Sequence, residues 1–293
     1  MKVIVDLAEK KNMNSRNVLQ IITGLFLGMS LLPSAQAITG CGNNYLSGSY
    51  GMQFSGTITP SLSGGVGGTM APVVSLGSVA AENPGSAPPV AGFARFVLDG
   101  AGNLFGNSAA TLNGTWAEGP ITGVYTVNGD CSTSFTLTDA GGGIQNFSGV
   151  LVNQGDSAVL LQTDPGTGIS ATLRRSRNSC QTSDLIGSLG FQSAGTLLGT
   201  APAAYSSVGM FNLDGQGDVT AIETRFINGS DAQVTSSGTI TVNLDCTVTM
   251  MLSPLSGSAD QVNLRGVIVN NEREMLLVRT DAGTVVSASA IVQ

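Results

Sequence analysis

The sequence predicts an all-β protein: two tandem antiparallel meander β-barrels of about eight strands each, with one disulfide per barrel. Three observations carry this. Val97-Leu98-Asp99-Gly100-Ala101-Gly102-Asn103 returns as Asn212-Leu213-Asp214-Gly215-Gln216-Gly217-Asp218, and Cys131 and Cys246 each follow the repeated aspartate by thirty-two residues. A spacing kept over two copies marks a duplicated domain. Short stretches of alternating apolar residues recur between Gly- and Asn-rich turns, the period of half-buried strands. No helical period separates them, and such short connections join antiparallel neighbours.

The chain opens with a segment set apart from the fold. Lys10, Lys11 and Arg16 precede an apolar run, Val18 to Leu32, followed by Pro33-Ser34-Ala35-Gln36-Ala37. A basic stretch, an apolar stretch and an Ala-x-Ala site describe a secretory signal peptide over 1–37, with Met13 as a second possible start. The run is too short and Gly-interrupted for a membrane span, so no transmembrane segment is expected. Ile38-Thr39-Gly40-Cys41 also has the look of a lipobox. Against lipidation, Cys41 is matched in the second copy by Cys180, and paired cysteines suit an oxidising compartment. The expectation is an exported chain, periplasmic or extracellular.

The chain as a whole has 12 Lys and Arg, 19 Asp and Glu and no His. Removing the leader takes away every lysine, Arg16, Asp6 and Glu9, leaving eight arginines against seventeen acids, a net charge of −9. Such a surface repels phosphate backbones, so no nucleic-acid partner is expected. It offers no polybasic patch to anionic lipid either.

The remaining 256 residues divide into a first repeat, 38–176, and a second, 177–293. Each opens with a cysteine and a strand, Tyr45–Gly56 and Leu185–Gly195. The first copy then carries a Gly-, Ser- and Pro-rich loop, 57–91, some twenty-four residues longer than its counterpart. Next come Gly92–Leu98 and Val208–Leu213, ending at the two Leu-Asp-Gly-x-Gly hairpins, whose glycines allow positive φ. The first copy continues with strands at Leu104–Leu112, Ile121–Val127, Ser132–Leu137, Gln145–Val152, Ala158–Gln162 and Ile169–Leu173. Asn113–Pro120 reads as a turn carrying Trp116 and Glu118. Counterparts in the second copy are Val219–Phe226, Gly238–Val242, Thr247–Leu252, Gln261–Val269, Glu274–Arg279 and Val285–Val292.

Eight strands in a meander can close on themselves and leave no edge; a sandwich is the alternative, but the long crossovers of Greek keys are missing. Following the strands up and down puts the Asp-Gly-x-Gly turn and the Cys131 turn at the same end as Cys41. Cys180 and Cys246 are placed alike. This favours the pairs Cys41–Cys131 and Cys180–Cys246, although four cysteines formally allow three connectivities. Between the repeats lies Arg174-Arg175-Ser176-Arg177-Asn178-Ser179, the one basic cluster of the leader-free chain. It reads as a solvated linker pairing with neighbouring acids, or alternatively as a dock for an anionic partner.

The chemistry available is narrow. Without histidine there is no Ser-His-Asp triad and no imidazole metal site, and without lysine no Schiff base. With the cysteines paired, carboxylates remain, and these recur in step: Asp99 with Asp214, Asp130 with Asp245, Asp164 with Asp281. An Asp in a turn ordinarily bonds its own backbone, so no catalytic residue and no cofactor is assigned. Calcium is the sharper alternative for Asp99, and for Asp214 with Asp218, although an EF-type loop would need more acids and a closing Glu. Trp116 and Glu118, beside the long loop at one barrel mouth, are the candidate ligand-binding residues; the competing role is packing.

Leu46-Ser-Gly-Ser-Tyr50, Phe96-Val-Leu-Asp99-Gly-Ala-Gly102, Gly123-Val-Tyr-Thr-Val127, Asp130-Cys131-Ser-Thr and Gln162-Thr-Asp-Pro-Gly-Thr167 resemble exported bacterial proteins of unknown function with small β-barrel modules. At fold level the modules are similar to lipocalin or allene oxide cyclase barrels, an analogy that implies no reaction. The leading expectation is an exported non-catalytic protein of the cell envelope or extracellular matrix. One alternative is a barrel binding a small apolar, lipid-like ligand. Another is a cyclase- or isomerase-like enzyme with lumen carboxylates, which requires polar residues gathered inside one barrel.

Overall fold

The alternation in Tyr50-Gly51-Met52-Gln53-Phe54 has a direct structural result: Tyr50, Met52 and Phe54 point into a closed barrel while Gly51 and Gln53 point out of it. The computed structural model describes residues 40–59, 87–256 and 261–293. The leader at 1–37 and most of the 57–91 loop lie outside these. The first barrel comprises β1 (Ser47–Ile58), β2 (Pro89–Asp99), β3 (Asn103–Leu112), β4 (Thr115–Val127), β5 (Ser132–Asp139), β6 (Ile144–Val152), β7 (Ser157–Gln162) and β8 (Thr167–Arg175). The second comprises β9 (Ile186–Leu197), β10 (Ala203–Asp214), β11 (Asp218–Ile227), β12 (Ser230–Val242), β13 (Thr247–Pro254), β14 (Val262–Val269), β15 (Glu274–Arg279) and β16 (Thr284–Val292).

Within each barrel every strand pairs antiparallel with its sequence neighbour, and β1 closes on β8 and β9 on β16. The protein is therefore two closed eight-stranded meander barrels, and closure removes the open edges that a sandwich would keep. One disulfide serves each barrel, Cys41–Cys131 and Cys180–Cys246, with Cα atoms 5.1 and 4.9 Å apart. The turns before β5 and β13 repeat even in their strain: Cys131 and Cys246 adopt φ of 67° and 68°.

One expectation needs correction. Trp116 to Pro120 is strand and not turn, because β4 begins at Thr115 directly after a tight Asn113-Gly114 turn. Gly119-Pro120 mimics a strand breaker, since proline cannot donate to a ladder. The β4–β5 ladder starts only at Ile121↔Asp139, so one side of β4 has no partner at Pro120. The second copy behaves alike, with β12 beginning at Ser230 and not at Gly238.

Three apolar cores result among the described residues. One fills the first lumen, with Tyr50, Phe54, Phe96, Phe135 and Phe147 among its members. Another fills the lower second lumen around Leu189, Phe211, Met250 and Leu277. The third lies between the barrels, where Ala91, Phe93 and Ala109 of the first meet Val267, Val269, Leu276, Val278 and Val285 of the second. It joins outer faces that do not correspond to each other, β1–β3 on one side and β14–β16 on the other.

The first lumen depends on one glycine. A Cβ at Gly92 would lie 2.1 Å from Cζ of Phe54, its partner across the β1–β2 ladder. Gly92→Ser is therefore expected to cost about 1–3 kcal/mol by overpacking. Combined with Phe54→Ser, which removes the ring, the same change should cost little. A double-mutant cycle in urea denaturation measures this, and additive losses would refute it.

Candidate functional site

The repeated aspartates are structural caps. Oδ1 of Asp99 accepts the N–H groups of Ala101, Gly102 and Asn103 at 2.7–2.9 Å, and Oδ2 accepts Nδ2 of Asn103 at 2.6 Å. Asp214 receives Gln216, Gly217 and Asp218 in the same way. Both weak calcium candidates thus spend an oxygen on three backbone donors, and Asp218 contributes its amide to the turn. The Asn103 side chain, with those amides, holds the Asp99 carboxyl down from its ordinary 3.8 to about 2. Its contribution to the hairpin is complete above its unfolded pKa and is lost as pH falls towards 2. A carboxyl-carbon NMR titration is expected to show that depression, reduced in Asn103→Ala; an unshifted midpoint would contradict it.

Asp130 and Asp245 cap the cysteine turns through Ser132 and Thr247. Asp164 and Asp281 brace the opposite end, each accepting an asparagine side chain, Asn146 at 2.8 Å and Asn263 at 2.6 Å.

Trp116 and Glu118 share the outer face of β4, turned towards the second barrel. The Trp116 ring sits 6.3 Å from that of Phe93, and the Arg265 guanidinium lies over it at 5.7 Å. Arg265 also pairs with Glu118. The two candidate ligand residues therefore grip a single arginine of the neighbouring barrel. Beside them, Gln53 Nε2 donates to the carbonyls of Leu277 and Ala288 at 2.9 and 2.8 Å. Arg95, buried, donates from Nε to the Asp245 carbonyl at 2.7 Å and from Nη2 to that of Arg177 at 3.1 Å. Burial lowers its pKa, and Asp245 partly offsets this.

The linker arginines are also engaged. Arg174 meets Glu274 at 2.8 Å, Arg175 meets Asp156 at 2.7 Å, and Arg177 pairs with Glu272. Burial raises the pKa of Glu274 and the Arg174 charge restrains it. This matches the reading of a basic stretch neutralised by neighbouring acids.

The least expected polar group lies inside the second barrel. Glu223 and Arg225 point inward from β11 and are only 6% and 9% exposed. Nε of Arg225 donates to Oε1 of Glu223 at 2.8 Å. On the adjoining strands Ser193 and Ser207 share a hydrogen bond at 2.7 Å. The two barrels differ here row by row. Phe54, Gly92 and Ala110 face one another across β1–β3, and the corresponding row across β9–β11 is Ser193, Ser207 and Arg225. Where the first barrel supplies a phenyl ring from β1, the second supplies a guanidinium from β11 and its counter-ion, Glu223. The row is polar and internally neutralised, a pattern that fills a lumen without leaving an unpaired charge.

No protein-family model matches the chain, and no curated protein matches it. Among solved structures, a protein of unknown function of the DUF3598 family from Nostoc punctiforme is 13% identical, covering 85% of this chain and 97% of its own, at a TM-score of 0.23. A porin-like protein from Bacteroides uniformis is 10% identical, covering 83% and 97%, at a TM-score of 0.20. Likeness at these scores carries no argument. No helix among the described residues is long and apolar enough to cross a membrane.

Sequence reasoning missed the Glu223–Arg225 pair, yet a signal was present. Val219, Ala221, Glu223 and Arg225 share one parity on β11, and the first two are core residues. Strict alternation therefore puts both charges inside.

Proposed function

We propose that this chain is an exported, non-catalytic protein of the cell envelope or extracellular matrix, acting through its surfaces and not through a lumen. The observation that carries the reading is the use of its candidate site: Trp116 and Glu118 are committed to holding the two barrels together through Arg265. Apolar packing of the first lumen supports it, since a lipid-binding barrel needs space that Phe54, Phe96, Phe135 and Phe147 occupy. Two disulfides support an oxidising compartment. Cleavage after Ala37 and a division into repeats 38–176 and 177–293 complete the proposal.

Native mass spectrometry of protein purified from its own host tests this. The expected species begins at Ile38, carries two disulfides and has no bound ligand. A lipid-sized mass retained by the folded protein would overturn the reading in favour of a ligand-binding barrel.

A further inference from the structure

The seam between the barrels is heterologous: it joins one face of a repeat to a different face of the other. A tandem pair built this way uses each face once and leaves one of each unused. Among the described residues, the unused faces are the outer surface of β6–β7 on the first barrel and that of β9–β11 on the second.

Residue by residue, the first unused face copies the one buried in the seam. Val267, Val269, Leu276 and Val278 correspond to Val150, Val152, Val159 and Leu161 at a constant offset of 117 residues, the offset from Asp164 to Asp281. The ladders agree, Val150 facing Val159 as Val267 faces Leu276. All four first-barrel residues are apolar, and they are 49%, 36%, 55% and 56% exposed. Val150-Leu151-Val152 and Ala158-Val159-Leu160-Leu161 read as continuous apolar runs, the pattern of strands buried on both faces.

The other unused face keeps part of the seam's contact set, although Arg95 and Trp116 are replaced by Met210 and Asp231. Gly51 lets β1 approach β14, since a Cβ there would lie 2.6 Å from the side chains of Val267 and Val269. Its counterpart on β9 is also glycine, Gly190. Gln53, which binds the Leu277 and Ala288 carbonyls, is matched by Gln192, and Phe93 by Val208, both exposed. The carbonyls that Gln192 would need belong to Leu160 and Ala171, which pair across β7–β8 as Leu277 and Ala288 pair across β15–β16.

We propose that the partner of these faces is a second copy of this chain. The β9–β11 face of one molecule docks on the β6–β7 face of the next, repeating the internal seam between molecules and building an open head-to-tail chain. This names the partner for the structural role proposed above and rests on that reading. The Glu118–Arg265 pair has no charged counterpart, Gln233 and Ser148 standing in its place. Without that pair and without a linker, the external seam is weaker than the internal one.

Sedimentation velocity of the leader-free chain tests the inference, with Val159→Glu and Val208→Glu as variants. Both positions are exposed, so circular dichroism and melting should match the unaltered protein. The unaltered protein is expected to grow beyond dimers with concentration, each variant alone to stay monomeric, and an equimolar mixture to form dimers and stop. A monodisperse monomer up to ~1 mM, the weak end of specific association, would overturn it. So would a closed dimer, or assembly unaffected by both variants. Native mass spectrometry of the same samples separates the failures: a ligand-free monomer removes self-assembly alone, and a ligand-bearing barrel removes the structural reading.

Discussion

Arg225→Ala is expected to destabilise the second barrel by about 3–5 kcal/mol, because it strands the Glu223 carboxylate, only 6% exposed, without its partner. Chemical denaturation measures the loss. Converting the whole row to the first barrel's residues should recover most of the stability: Ser193→Phe, Ser207→Gly, Glu223→Ser and Arg225→Ala together replace the guanidinium with the ring it stands in for. Equal losses in the single and fourfold variants would show that the row is not exchangeable, and that the charges do more than fill space.

Loss of the first disulfide is the other large effect. Cys41 and Cys131 are separated by 90 residues, and Cys180 and Cys246 by 66. In the chain-entropy model each bridge contributes about 4–5 kcal/mol, differing by only a few tenths. Cys41→Ser with Cys131→Ser should therefore lower the stability of the unreduced protein by about that amount in guanidinium denaturation. The first bridge also anchors the segment that closes the barrel's lower end, where Tyr125 Oη donates to the Leu46 carbonyl at 2.6 Å. Faster hydrogen exchange at Leu46 should accompany the loss. A change below about 1 kcal/mol would mean that the closing segment holds by its own hydrogen bonds.

The architecture was legible because the repeat was. Two Asp-Gly-x-Gly turns and two evenly spaced cysteines aligned the copies, and strand alternation with short turns implied meanders. The beginning of β4 was not legible, since Gly119-Pro120 looks the same in a turn as at the end of a ladder. Trp116 stood out as the only tryptophan, but its partner Arg265 lies 149 residues further on, and no local pattern connects them. The seam left only an indirect trace. Val267-Ile268-Val269 and Met275-Leu276-Leu277-Val278 are apolar on both parities, which in a barrel strand means that something covers the outside. The same trace in Val150-Leu151-Val152 has nothing covering it among the described residues, where Val150 and Val152 are 49% and 36% exposed.

The placement of that seam has a consequence in time. Ala91, Phe93 and Ala109 find their partners on β14–β16, the last strands of the chain. Domains nearer the N-terminus fold first as a chain emerges, so the first barrel can close before those strands are available. A finished barrel then carries an uncovered apolar face, waiting for the later strands. In a crowded compartment the final strands of a neighbour present the same surface, so fidelity depends on the linker at Arg174–Arg177 delivering the right one first.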